Sequence, residues 1–208
     1  MNRRQILMGA FGAAALLAAP GLCLPGPARA EDMPIYPDDR ILGSADAPIT
    51  MIEYASLTCP HCAHLHATAL KKIKETWIKD GKVLLVFRHY PLDGLALRAA
   101  AVTDCFEGDR FFAFLDLLYE NQKRWVPAKD PLAVLGQYAK LAGMTQDKFD
   151  ACVNDKAEMN KILQRAQEGR DKYQVNSTPT SFINGTKVEG AQPYETFEAI
   201  FKKLAPGS

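Results

Sequence analysis

The stretch "SLTCPHCAHLHA", residues 56–67, places two cysteines, one proline and three histidines in twelve positions. Taken alone it fits two chemistries. Cys59 and Cys62 with His61, His64 or His66 have the ligand types and short spacing that suit zinc or copper. The same two cysteines could instead be a redox pair. The flanking sequence separates these readings. Upstream, "ITMIEYASL" (49–57) is rich in β-branched and aromatic residues and reads as a buried strand. Downstream, a helical pattern runs from about Cys59 to Lys79. "KVLLVFRHY" (82–90) follows, a continuous apolar run suited to the middle of a sheet covered on both faces. A closed zinc site would need a second ligand cluster, and only His89, Cys105 and Cys152 are on offer.

At a strand-to-helix junction a C-x-x-C pair has a mechanism. Residues three apart share one helical face, so the two sulfurs can bond. The first cysteine sits where unpaired N–H groups and the helix dipole favour an anion. Pro60 suits the first helical position, because the donor it lacks would be orphaned there. A favoured thiolate means a lowered thiol pKa, and a stabilised dithiol form makes the disulfide oxidising. His61, between the cysteines, can give the same sulfur a hydrogen bond or a positive charge. His64 and His66 read as helix-surface residues. His89 ends the second strand and carries the weaker case for a place beside the site.

Residues 95–154 hold no convincing strand. "LALRAAAVTDCF", "DRFFAFLDLLYENQ", "PLAVLGQYAKLA" and "TQDKFDACVND" are short helical patterns divided by Gly, Pro and Asp, with Thr145 and Lys148 bracketing a fresh helix start. "KAEMNKILQRAQEGRDKY" (156–173) carries Met159, Ile162, Leu163 and Ala166 at amphipathic spacing. "PTSFINGTKVEG" (179–190) is a hairpin turning at Asn184-Gly185. "YETFEAIFKKL" closes with Phe197, Ile200, Phe201 and Leu204 on one face. The order strand–helix–strand, helical block, helix–hairpin–helix predicts an α/β domain carrying an insertion. Its parts are an N-terminal arm at 31–48, an α/β unit at 49–94 and 155–205, and an all-helical insertion at 95–154.

The first thirty residues read as a secretory signal. Arg3 and Arg4 open it, an apolar run ends near Ala19, and Ala28-Arg29-Ala30 is a small-x-small cleavage pattern, so cleavage is expected after Ala30. Leu22 before Cys23 argues against lipidation, and "NRRQILM" leaves the export route open between the general and twin-arginine pathways. Three of the 25 basic residues and none of the 24 acids fall in this segment, so the remainder is slightly acidic. That balance, with no basic block, gives no support to nucleic-acid binding.

With "EYASLTCPHC" and "STPTSFING", the chain resembles the DsbA family of thiol–disulfide oxidoreductases over roughly residues 35–205. It departs from the family in having Ser56, Leu57 and Thr58 where aromatic residues often precede the first cysteine. The resemblance implies a thioredoxin-like fold with an inserted all-helical domain. It also implies site roles. Cys59 would be the nucleophile and mixed-disulfide partner, Cys62 the buried resolving thiol, and His61 the tuner of the pair. Pro179 would be a cis-proline, with the backbone of Thr178 pairing to an extended substrate. Glu53 would be a buried acid shuttling the proton of Cys62. Cys105 and Cys152 lie in one helical block, where two thiols in an oxidising compartment tend to pair, as in some relatives. Two buried, unpaired cysteines are the alternative.

The expected function is therefore that of a monomeric periplasmic dithiol oxidase acting on the thiols of unfolded exported proteins. A DsbB-type, quinone-linked membrane oxidase would reoxidise it, and no organic cofactor or metal is called for. Two alternatives stand beside this. One is a disulfide isomerase or reductase of the same fold, although only about sixteen residues (31–46) precede the domain, too few for the dimerisation domain that isomerases usually carry. The other is a Cys/His metal-binding protein.

Overall fold

The computed structural model describes residues 33–205. The proposed signal, its cleavage point after Ala30 and Cys23 lie outside these residues. Five strands, β1 (Arg40–Leu42), β2 (Ile49–Ala55), β3 (Val83–His89), β4 (Thr180–Ile183) and β5 (Thr186–Glu189), form one mixed sheet in the order β1-β3-β2-β4-β5. Strands β2 (Ile49–Ala55) and β3 (Val83–His89) run parallel in register Ile49↔Val83 to Ala55↔His89. Almost every residue of both is buried, as continuous apolar runs require. A parallel pair needs a crossover. Here it is one continuous helical run: α1 (Pro60–Leu65), a π-helical segment His66–Leu70, α2 (Lys71–Ile73) and a second π-helical segment Lys74–Ile78.

The hairpin forms at Asn184-Gly185, whose positive φ values of 39° and 90° suit a tight turn of this hand. It joins β4 (Thr180–Ile183) to β5 (Thr186–Glu189), and β4 pairs antiparallel with β2. Between β3 and the long helix α8 the described residues form only helices: α3 (Gly94–Asp104), α4 (Asp109–Glu120), α5 (Gln122–Trp125), α6 (Pro131–Leu141) and α7 (Gln146–Val153). Asp93, Asp130 and Thr145 cap α3, α6 and α7, each accepting a backbone N–H from inside the first turn. Helix α8 (Lys156–Tyr173) and the terminal α9 (Tyr194–Leu204) complete the chain, with Phe197 and Phe201 of α9 fully buried. The result is a thioredoxin-like sheet carrying a helical insertion.

Strand pleating divides the core. Met51 and Ala55 of β2, with Leu85 and Phe87 of β3, face the active-site helix and the insertion in one large apolar cluster. Ile52, Tyr54, Leu84 and Val86 face the other way, against Tyr173, Val175 and Met33. Glu53, in phase with Met51 and Ala55, therefore points into the large core.

Two readings of the sequence need correction here. The arm at 31–48 contains an edge strand, β1 (Arg40–Leu42), antiparallel to β3. Three residues between Pro- and Asp-rich flanks are too few to show alternation. What holds the arm is tertiary: buried Arg88 of β3 donates to both carboxylate oxygens of Asp39, to Tyr54 and to the Pro34 carbonyl. On α8, Leu163 is 45% exposed, whereas Ile162 is buried. The face that α8 turns to the body is narrower than its apolar stripe.

Candidate active site

Strand β2 ends at Ala55, and Ser56, Leu57 and Thr58 carry the chain over the sheet end to Cys59. Cys59 is extended, with φ −78° and ψ 120°, and occupies the N-cap of α1 with Pro60 in the first turn. Its side chain makes no cap bond, so the helix N-terminus faces the sulfur. Cys59 and Cys62 carry free thiols, 5% and 0% exposed.

The two thiols are electrostatically unequal. Cys59 is lowered to about 5, first by a hydrogen bond from Cys62; burial works against this, and Thr178 and the backbone N–H groups of Cys62 and His61 add to it. Cys62 is driven far above the ordinary thiol range by burial first, then by its hydrogen bond to Cys59 and the charges of Cys59 and Glu53. One member of the pair is thus a thiolate at neutral pH and the other a buried thiol.

Cys59 Sγ lies 3.4 Å from the carbonyl oxygen of Thr178. The Thr178–Pro179 bond is cis. Strand addition to β2 has brought residues 59 and 178 together. His61 is exposed, and what it gives Cys59 is its backbone N–H. His64 is exposed as expected. His89 is buried beside Asp104, Phe87 and Phe111, with none of its contacts to the cysteine pair; burial first lowers its pKa.

His66 overturns its expected place on the helix surface. It is 7% exposed. Its Nε2 is 3.2 Å from Glu53 Oε1 and its Nδ1 is 3.4 Å from Asp116 Oδ1, while Lys74 Nζ reaches both Asp116 oxygens at 2.7 Å. Its ring lies 4.2 Å from that of Tyr119. The physical reason is helical phase: Cys62, Leu65, His66, Ala69, Leu70 and Ile73 follow the i, i+3, i+4, i+7 stripe, and all are buried. That stripe was readable in the sequence; the partner that makes a buried histidine tolerable was not. Burial opposes charging of His66, but Glu53 and Asp116 outweigh it and raise its pKa.

Gln122 is a second residue that sequence reasoning missed. It is buried, and its Nε2 donates to the Leu57 carbonyl at 2.8 Å and the Cys59 carbonyl at 3.0 Å. From the other side, Thr58 Oγ1 donates to Asp93 at 2.7 Å, the same carboxylate that caps α3. The insertion thereby grips the backbone that presents Cys59. Away from the site, Cys105 and Cys152 form a disulfide linking the end of α3 to α7. Among the described residues no group of three His, Cys, Asp or Glu side chains is placed to hold a metal ion. Likewise, no helix among them is long and apolar enough to cross a membrane.

Comparison with known proteins fits this arrangement. A thioredoxin family model matches residues 36–203. The chain is 28% identical over 169 residues to a putative protein-disulfide oxidoreductase of Rickettsia bellii, covering 80% of this chain and 65% of that protein. It is 31% identical to a probable disulfide bond formation protein D of Bacillus cereus, covering 76% and 75% of the two chains. The chain thus spans less than two thirds of the Rickettsia relatives it matches, down to 54% of those from Rickettsia felis and Rickettsia conorii. Among solved structures, Wolbachia pipientis alpha-DsbA1 superposes with a TM-score of 0.79 at 35% identity, covering 85% of this chain and 96% of that one.

Proposed function

This chain belongs to the DsbA family of thioredoxin-like proteins, and from that premise we propose that it is a dithiol oxidase that introduces disulfides into exported proteins in the periplasm. The observation that carries the reading is the inequality of the pair. Cys59 holds a stabilised thiolate against the helix N-terminus while Cys62 is a buried thiol. Stabilising the dithiol form makes the corresponding disulfide a strong oxidant.

On this reading the steps are as follows. A substrate thiolate attacks Cys59, the sulfur nearer the Thr178–Pro179 loop. The Cys59–Cys62 bond breaks, Cys62 leaves with the electron pair, and it takes up a proton from Glu53. A second substrate thiolate then attacks the substrate sulfur of the mixed disulfide. Cys59 departs as a thiolate, a good leaving group at its lowered pKa. Two electrons have moved from two substrate thiols to the pair. The extended substrate lies along Thr178 by strand addition, and His61, exposed and lying between the two cysteines in the chain, tunes the pair. A quinone-linked membrane oxidase of the DsbB type returns the pair to the disulfide, and the protein works as a monomer after removal of its signal.

The test is a redox titration of the Cys59–Cys62 pair against glutathione, with turnover on a dithiol peptide. A pair that glutathione reduces readily and that oxidises the peptide stoichiometrically, with Cys59→Ala inactive, supports the reading. A pair that stays oxidised against a reducing glutathione pool would instead mark a reductase.

A further inference from the structure

Cys62 poses a problem that the exchange chemistry alone leaves unsolved. It gains a proton each time the disulfide is opened and loses one each time it is closed, yet it is fully buried. Glu53, the carboxylate whose charge acts on Cys62, is fully buried as well. A proton parked on Glu53 has not reached water.

The polar groups around Glu53 form one continuous line outward. Glu53 Oε2 is buried with no partner among the described residues, and the Glu53 charge is felt at Cys62. Oε1 meets His66 Nε2, His66 Nδ1 meets Asp116 Oδ1, and the Asp116 side chain is 39% exposed with Lys74 on it. Tyr119 packs on the His66 ring with its hydroxyl buried and unpartnered, and Phe87 closes the other side. The titratable and charged groups facing His66 are therefore Glu53 from β2, Asp116 and Tyr119 from α4, and Lys74 from the helical run.

We propose that His66 carries the proton of Cys62 between buried Glu53 and solvent-facing Asp116, taking part at both ring nitrogens. In the dithiol state Glu53 is a carboxylate and His66 an imidazolium. When Cys62 attacks a mixed disulfide at Cys59, the Cys62–Cys59 bond forms and the departing thiol leaves as a thiolate. The Cys62 proton passes to Glu53 Oε2, and the His66 Nδ1 proton passes through Asp116 to water. His66 keeps its Nε2 proton and its bond to Glu53. The buried pair is then neutral, as carboxylic acid and imidazole. Opening the disulfide runs the line backwards: Glu53 returns its proton to Cys62, and water, through Asp116, restores Nδ1. Each half-cycle resets the other without a ring flip, and the net charge of the Glu53–His66 pair never changes. Uncompensated charge at this depth is costly because neither water nor a counter-ion offsets it, which is what the two-ended histidine avoids.

The inference rests on the oxidase reading only in requiring Cys62 to cycle between thiol and disulfide. The test mixes the dithiol protein rapidly with oxidised glutathione, quenches in acid, and follows the mixed disulfide at Cys59 by mass spectrometry from pH 6 to 9. The wild type should resolve the mixed disulfide at a rate nearly independent of pH. His66→Gln, which keeps a polar side chain of similar size, and Asp116→Asn, changed at the exposed end, should resolve it about a hundredfold more slowly near pH 7, the low end for loss of a positioned proton carrier. Both should recover as pH rises and hydroxide takes over. Cys59 thiolate absorbance should titrate as in the wild type. If both variants keep the wild-type rate and pH profile, the relay is refuted. If His66→Gln fails to fold, Asp116→Asn alone decides. A wild type that resolves glutathione normally but cannot oxidise a dithiol peptide would sink the oxidase reading and leave the relay standing.

Discussion

At the scale of single residues, the site depends on side chains that never touch substrate. Gln122 satisfies the Leu57 and Cys59 carbonyls with one amide nitrogen. Replacing it with Leu strands two buried acceptors, a loss of about 1–3 kcal/mol, measurable as a lowered urea midpoint of the reduced protein. Gln122→Glu should be worse at neutral pH, since a carboxylate would aim acceptors at acceptors. If the Leu variant unfolds at the wild-type urea concentration, the grip on the nucleophile loop is not structural. Gln122 was illegible beforehand because a glutamine in a helical block has no periodic signal. Its partners are carbonyls more than sixty residues away.

At the scale of elements, close packing sets the limits. Helix α8 approaches the sheet at Gly169, where an added Cβ would lie 2.7 Å from Cε1 and 3.2 Å from Cζ of the fully buried Tyr54. Tyr54 cannot yield freely, because Arg88 donates to its hydroxyl at 2.9 Å. Gly169→Ala should therefore destabilise by about 1–3 kcal/mol, as overpacking does, despite the better helix propensity of alanine. A thermal midpoint at or above that of the wild type would contradict this. The sequence gives α8 its length and polar faces, and its extent of 156–173 is as expected. It does not show that the helix meets the sheet at a glycine. The helical run after Cys59 was legible in extent, but its two π-helical segments were not. Those depend on how the helix packs rather than on residue propensity.

At the scale of the whole molecule, the lowered Cys59 thiol links stability to pH. Its folded value of about 5 lies below the reference value of 9.0. A group depressed on folding adds stability that is fully present above the unfolded pKa and lost as pH falls through the folded one. The reduced protein should therefore gain on the oxidised protein by up to about 1.4 kcal/mol per pH unit between pH 5 and 9, with no such gain below pH 5. Urea denaturation of both redox forms at pH 4.5 and 7.5 reads the difference. An oxidised form that remains the more stable by the same margin at both pH values would exclude a stabilised thiolate.

What the sequence determined by itself is what short-range patterns encode. The buried strands, the helix starts, the hairpin at Asn184-Gly185 and the C-x-x-C at a strand-to-helix junction all rest on periodicity and backbone chemistry within a few residues. Those were enough to predict an α/β domain with a helical insertion, and the resemblance carried by "EYASLTCPHC" and "STPTSFING" implied that it is thioredoxin-like. The tertiary structure alone decided which distant groups meet: Thr178 with Cys59, Gln122 with the Leu57 and Cys59 carbonyls, Arg88 with the arm, and His66 with both Glu53 and Asp116. The reason is physical. A buried polar side chain is stable only with a partner, and the partner is chosen by the packing of elements far apart in the chain. That is why His66, polar by its letter, lies in the core.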